Sequence, residues 1–229
     1  MEKHITHINA LSRFLQILDG SFPSGAFVHS FGLEPHIVLE QVQDKNTLRD
    51  YFNNLIIDQY QRLEFVHVKK VYKLLQENRL NLIIKEDEKY AAMLNFDYAK
   101  ASKDMGENYL KHINFDISKE IVKSYFEFVK SNKAVGNELT ILSVYTYELD
   151  LDCTMFLLLW CKKSLINIAS ASLKISRIKP TEIQQLLFEF DEVLENYIND
   201  SSKRISNFNP LFEEVIFQHT NLEPKLFMT

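Results

Sequence analysis

The sequence predicts an all-α protein, a single-domain bundle of roughly eight to ten helices. Apolar residues recur every three or four positions along most of the chain, which is the spacing of one buried helix face. No proline occurs between Pro35 and Pro180, so the long middle of the chain is free to be helical. No Ser/Gly-rich linker and no internal repeat divides residues 1–229, so one domain is expected.

The N-terminal half contains several separate apolar stripes. A first helix is predicted over Leu11–Leu18, and a second begins at Leu33 after a stretch rich in glycine and proline. A third helix is predicted from the stripe over residues 48–56, with Asp44 or Thr47 suited to cap it. Further helical stripes follow over residues 63–75 and 90–110.

The C-terminal half continues the helical pattern after two breaks. Ser118 is predicted to be the N-cap of the helix that carries Ile121 and Val122. Residues 140–147 are rich in β-branched residues and tyrosine, but a lone strand would have no partner, so a helix is favoured. Residues 151–175 are apolar nearly all round and are predicted to form the most buried helix.

Two further helices are predicted near the C-terminus. One begins at Pro180, where Thr181 and Gln184 have the spacing of a capping box. The other is amphipathic and covers residues 211–219. The N-terminus, over about residues 1–8, is expected to be flexible, and a tail over about residues 220–229 is expected to order when a partner binds.

Charge and composition argue for a cytoplasmic protein that does not bind nucleic acid. The net charge is −5, and residues 180–229 hold nine acidic but only three basic residues, so no basic face is indicated. Cys153 and Cys161 are expected to be free thiols in a reducing compartment. The N-terminus does not resemble a signal peptide, and the longest apolar run, over residues 155–161, is too short to span a membrane.

No residue pattern indicates a metal site or a catalytic site. Glu64 and His67 form half of a di-iron motif, but no second Glu-x-x-His completes it. The pairs His4/His7 and His29/His36 lack a third ligand beside them. The glycines near residue 25 lack the Gly-Lys-Ser/Thr of a phosphate-binding loop, and the neighbouring serines lack a nucleophile-elbow context. We therefore expect no cofactor and no enzymatic activity.

The stretch Gly20–Pro35 is the most specific motif in the chain. It holds three of the five glycines and two of the five prolines, together with Phe22, Phe27 and Phe31. The run from Leu15 through Pro23, Ser24, Gly25 and Ala26 to Ser30-Phe31-Gly32-Leu33-Glu34 resembles the N-terminal signature of the urease accessory protein UreF family.

The resemblance extends along most of the chain. Residues 101–106, with Met105-Gly106, resemble the family's Ser-x-x-Met-Gly segment, and residues 169–174 resemble its small-residue helix end with a basic residue. Lys225-Leu226-Phe227-Met228-Thr229 resembles the family's Arg-Leu-Phe-x-Ser ending, with Lys in place of Arg and Thr in place of Ser. Lysine lacks the planar fork of arginine, so the tail contacts are expected to differ in detail.

The resemblance implies a urease maturation factor without chemistry of its own. It implies binding to the accessory protein UreD (also called UreH), recruitment of the GTPase UreG, contact with apo-urease, and a homodimer within that complex. The nickel that urease receives would be delivered through this assembly. The alternatives from other classes are a helical metal-binding protein or metal-dependent enzyme, and a helical adaptor unrelated to urease.

Nine residues are predicted to bind partners because they occupy the motifs that resemble the family. Six come from the signature stretch: Ser24, Gly25, His29, Gly32, Glu34 and His36. Lys174 matches the basic helix-end position, and Lys225 and Thr229 belong to the tail. For the glycines, the alternative is a purely conformational role, and for Lys174 it is compensation of the helix dipole.

Overall fold

Helices account for most of the chain in the computed structural model, which describes residues 7–25, 32–200, 221–223 and 226–227. The α-helices are α1 (His7–Leu18), α2 (Leu33–Val38), α3 (Lys45–Asn54), α4 (Glu64–Gln76), α5 (Leu80–Met93), α6 (Phe96–Ile113), α7 (Glu120–Lys130), α8 (Glu138–Glu148), α9 (Cys153–Ile175), α10 (Pro180–Asp191) and α11 (Leu194–Asn199). A π-helical segment, Leu55–Tyr60, continues α3. The described residues contain no strand, so the all-α prediction is confirmed.

The chain divides into two compact units, which are described separately. The first unit comprises Met1–Gly25 and Glu64–Leu157, and the second comprises Ala26–Leu63 and Leu158–Thr229. Helix α9 begins in the first unit and continues into the second.

Helix α8 is the centre of the first unit. It packs against α4, α6 and α7, and every one of its residues except Tyr147 is buried. The prediction that residues 151–175 form the most buried helix is therefore wrong. Ser143 and Thr146 donate their hydroxyl hydrogens to the carbonyl oxygens of Leu139 and Leu142, at 2.6 and 2.8 Å. These bonds satisfy polar side chains inside the core.

Asp87 on α5 is a buried polar hub in the first unit. Its carboxylate accepts hydrogen bonds from the Tyr125 hydroxyl (2.9 Å), the Gly136 N–H (2.7 Å) and the Thr140 hydroxyl (2.6 Å). It also accepts from the backbone N–H and the side-chain amide of Asn137, at 3.2 and 2.7 Å. The hub therefore joins α5 to α7 and to the start of α8.

Helices α6 and α8 approach closely because Gly106 has no side chain. A Cβ atom placed on Gly106 would lie 1.9 Å from the carbonyl oxygen of Gly136. No real Cβ contact is that short, so only glycine fits at this position.

Helix boundaries correct three sequence predictions. Residues 90–110 are not one helix: α5 ends at Met93, and Asn95 caps α6 by accepting the Tyr98 N–H at 2.9 Å. Ser118 is not the N-cap of α7, because Lys119 holds that position and Ser118 donates instead to Glu148. At α10, Lys179 is the N-cap and donates its N–H to Glu182 at 3.0 Å, so the predicted Thr181/Gln184 box does not form.

The second unit packs α3 and the π-helical segment together, and α10 against α3. Asp44 caps α3 by accepting the N–H groups of Asn46 and Thr47, both at 2.9 Å, which confirms the predicted cap. Phe52 meets Phe190 edge to face, with ring centroids 5.6 Å apart. Helix α10 begins at Pro180, as predicted.

Helix α9 is the one described helix that is long and apolar enough to cross a membrane. Its most apolar 18-residue window has a mean hydropathy of 1.2, and 56% of that window is buried inside the protein. The core helix of a water-soluble protein has the same properties, so α9 is weak evidence for a membrane span. Its two cysteines, Cys153 and Cys161, are free thiols, as predicted.

Candidate functional site

Gly32 sets the start of α2 in the second unit. Its φ of +85° lies in the left-handed region, which glycine adopts without strain. The Nδ1–H of His36 donates to the Gly32 carbonyl oxygen at 2.7 Å and closes the turn. Burial lowers the pKa of His36, and its ring meets Tyr51 edge to face at 4.9 Å. His36 is thus a neutral, buried residue that fixes the shape of this turn.

Glu34 binds the C-terminal part of the chain. Its side chain is buried, and the whole residue is 2% exposed. Oε1 accepts the Leu226 N–H at 2.8 Å, and Oε2 accepts the Phe227 N–H at 3.2 Å. A carboxylate that accepts two successive backbone N–H groups satisfies its own lone pairs and two donors at once. We call Glu34, Lys174, Leu226 and Phe227 the tail latch.

Lys174 completes the tail latch from the end of α9. Its Nζ lies 5.4 Å from the centroid of the Phe227 ring, within the range of a cation–π contact. Phe227 is 7% exposed, whereas Leu226 is 61% exposed. The latch therefore fixes the tail backbone and buries one side chain, and it leaves the neighbouring side chain at the surface.

Ser24 and Gly25 lie in the N-terminal part of the Gly20–Pro35 stretch, and this part belongs to the first unit. Ser24 is buried, and its carbonyl oxygen accepts the side-chain amide of Asn108 at 3.3 Å. Gly25 has a φ of +85°, which explains the glycine there. These contacts are conformational, and a partner-binding role for Ser24 and Gly25 stays a prediction.

The structure brings together some of the nine predicted residues. In the second unit, Glu34 and His36 lie on α2, and Gly32 is its N-cap. Lys174 and Glu34 both contact Phe227, Lys174 at the ring and Glu34 at the backbone N–H. His29, Lys225 and Thr229 lie outside the described residues. The sequence analysis named Lys225 and Thr229 but missed Leu226 and Phe227. The one sequence feature that could have indicated them is that they form an apolar pair directly after the basic Lys225.

Glu64 and His67, the rejected di-iron pair, are buried in the first unit. The Nε2 of His67 lies 2.9 Å from the Thr140 hydroxyl oxygen, and its ring stacks on Tyr90 at 4.2 Å. Burial, aided by the positive charge of Lys89, lowers the pKa of His67 to about 3. Among the residues that the structure describes, no group of three or more His, Cys, Asp or Glu side chains could hold a metal ion.

These observations define an all-α protein whose candidate site holds the chain's own tail. A family model described as UreF matches residues 42–191, which is more than half of the chain. The chain therefore belongs to the UreF family, and it is a urease accessory factor.

Two curated relatives match this chain over nearly their whole length, and a third matches it over about four fifths. The urease accessory protein UreF of Bacillus sp. (strain TB-90) is 23% identical over 227 residues, covering 97% of this chain and all of the relative. The protein of the same name from Ureaplasma parvum is 22% identical and covers 97% of each chain. That of Lachnoclostridium phytofermentans is 23% identical over 81% of this chain and 82% of its own.

Proposed function

We propose that this protein is a urease maturation factor that works through protein–protein contacts in the cytoplasm. It binds UreD (UreH), recruits and modulates the GTPase UreG, and promotes nickel incorporation into apo-urease. It acts as one domain over residues 1–229 and as a homodimer within the complex. Membership of the UreF family supports the assembly role, and nickel enters it as cargo bound for urease.

The tail latch is the observation that carries this proposal. A factor that assembles several partners needs surfaces of fixed shape, because every residue ordered on binding costs conformational entropy. Glu34 removes part of that cost by holding the tail backbone in place before any partner arrives. The exposed Leu226 side chain and the exposed Lys174 then offer an apolar and a cationic contact close together.

The experiment is a reconstitution in a host that expresses a complete urease operon. Urease activity, nickel per urease and co-purification of UreD and UreG are measured with the gene, without it, and with Glu34→Gln or Lys174→Met. We expect loss of the gene to leave abundant urease that is poor in nickel, and Glu34→Gln to reduce nickel loading at normal protein level.

The matched control is Glu192→Gln, which removes an exposed carboxylate from the same unit. It should activate urease as the unaltered protein does. Unchanged nickel loading without the gene would overturn the maturation role. Normal loading with Glu34→Gln would overturn the role of the latch.

A further inference from the structure

An open groove lies in the first unit where the end of α1 meets the end of α6. Its volume is about 570 Å³, and the two helix ends and the segments that follow them line it: Leu15, Gln16, Asp19, Ser21, Phe22, Pro23, His112 and Phe115. This volume is within the range of ligand-binding clefts. None of these residues belongs to the tail latch.

The groove has a rigid aromatic wall and an exposed apolar rim. Phe22 stacks on Tyr109, with ring centroids 5.4 Å apart and planes 18° apart, and meets His112 edge to face at 5.8 Å. Leu15 and Phe115 are 53% and 57% exposed. Exposed apolar side chains around a cleft are typical of a surface that a partner covers.

Asp19 gives the groove a negative charge. Its Oδ1 accepts both the backbone N–H of Ser21, at 2.8 Å, and the Ser21 hydroxyl. These bonds lower the pKa of Asp19, so the carboxylate is ionised at neutral pH. The groove therefore pairs a fixed anion with aromatic side chains, and it is unsuited to phosphate or to an anionic lipid.

We propose that this groove docks an arginine-bearing apolar segment of a partner protein. An aromatic ring beside a carboxylate suits a guanidinium group, which pairs with the anion and stacks on the ring through its plane. Asp19 supplies the anion, Phe115 the exposed ring, and Leu15 the contact for an apolar neighbour of the arginine. The identity of the partner rests on the proposed assembly role, but the chemistry of the groove does not.

The test titrates the full-length, ¹⁵N-labelled protein with the peptide acetyl-Leu-Arg-Leu-amide and, separately, with acetyl-Leu-Gln-Leu-amide. We expect the arginine peptide to bind with a dissociation constant in roughly the millimolar range. Its amide shift changes should centre on residues 15–23 and 112–115. Asp19→Asn and Phe115→Ala should each weaken binding of the arginine peptide about tenfold. The glutamine peptide should bind the unaltered protein no more tightly than the arginine peptide binds Asp19→Asn.

Phe96→Ala is the matched control, because Phe96 is 82% exposed in the same unit and does not line the groove. Its affinity for the peptide should equal that of the unaltered protein. Equal affinities for the two peptides, an unaffected Asp19→Asn variant, or shift changes elsewhere would overturn the proposal. Since no urease component is present, such a failure would leave the maturation role standing.

Discussion

Glu34 and Leu226 are 192 positions apart in the sequence, yet the Glu34 carboxylate accepts the Leu226 N–H at 2.8 Å. The bond joins the most specific motif of the chain to its tail. Among the described residues, Glu34 therefore links the signature turn directly to the tail. The partner-binding roles of the signature residues stay predictions, beside this intramolecular role of Glu34.

Replacement of Glu34 by Gln should release the tail. The amide keeps the volume of the side chain but presents an NH₂ group to one of the two N–H donors that the carboxylate accepts. We expect a loss of roughly 1–3 kcal/mol in the free energy that holds the tail in place. Hydrogen exchange at residues 226 and 227 should become about tenfold faster or more, whereas Glu192→Gln should leave it unchanged. Unaltered exchange in Glu34→Gln would contradict the latch.

Asp87→Asn should strongly destabilise the first unit. One carboxylate oxygen becomes an NH₂ group that faces donors instead of accepting from them. Each buried donor left without an acceptor costs about 1–3 kcal/mol, so we expect a total loss of roughly 3 kcal/mol or more in urea unfolding.

Two milder variants give a scale for the effect of Asp87→Asn. Tyr125→Phe removes a single donor, and Gly136 still bonds to the same oxygen, so the loss should be only about 1 kcal/mol. Glu88→Gln alters the exposed neighbour of Asp87 and should change stability by less than about 0.5 kcal/mol. A mild effect of Asp87→Asn, equal to that of Glu88→Gln, would show that the hub contributes little.

Gly106→Ala should be far more harmful than Gly20→Ala. The new methyl group at position 106 would lie 1.9 Å from a backbone carbonyl oxygen, and backbone cannot rotate away as a side chain can. We expect a loss of several kcal/mol, roughly 3 or more, by thermal unfolding. At Gly20 nothing lies within 4 Å of the added Cβ, so the change should be within about 1 kcal/mol. Similar stabilities would rule out the close approach of α6 and α8.

His67 should make stability fall as the pH falls below about 6.5. In the folded protein the pKa of His67 is lowered to about 3, from an ordinary value of 6.5, so between these values only the unfolded chain binds the proton. The free energy of unfolding should then drop by up to about 1.4 kcal/mol per pH unit. His36, whose pKa is also lowered by burial, contributes with the same sign.

A comparison of variants isolates the contribution of His67. Urea unfolding at pH 7, 6 and 5 should show a flatter dependence for His67→Gln than for the unaltered protein. An identical slope in His67→Gln would mean that the pKa of His67 is the same in the folded and the unfolded chain.

The sequence predicted the helices well because their apolar spacing is a local property. The most buried helix was predicted over residues 151–175 and not at α8, because α8 contains Ser143 and Thr146, which are polar residues by type. Their hydroxyl groups donate to carbonyl oxygens one turn earlier, so these polar side chains can be buried at little cost. Helix ends were less certain, since Ser118 has the residue type of a cap but bonds to Glu148, 30 positions away.

The candidate site could be predicted only in part. Resemblance to the family selected Glu34 and Lys174, but nothing local indicates that Glu34 binds the backbone of residues 226 and 227. The groove residues likewise come from two segments, 15–23 and 112–115, that are far apart in the sequence. Contacts of this kind follow from the tertiary fold, and a single sequence contains no periodic signal for them.

The central position of α8 has a consequence for the order in which the protein can form during translation. Helices α4 and α6 emerge from the ribosome well before the helix that covers their apolar faces. Until residue 148 has left the exit tunnel, the parts of those faces that α8 covers remain open to water and to other nascent chains. The first unit is therefore most prone to aggregate midway through synthesis, when a general chaperone would be of greatest use to it.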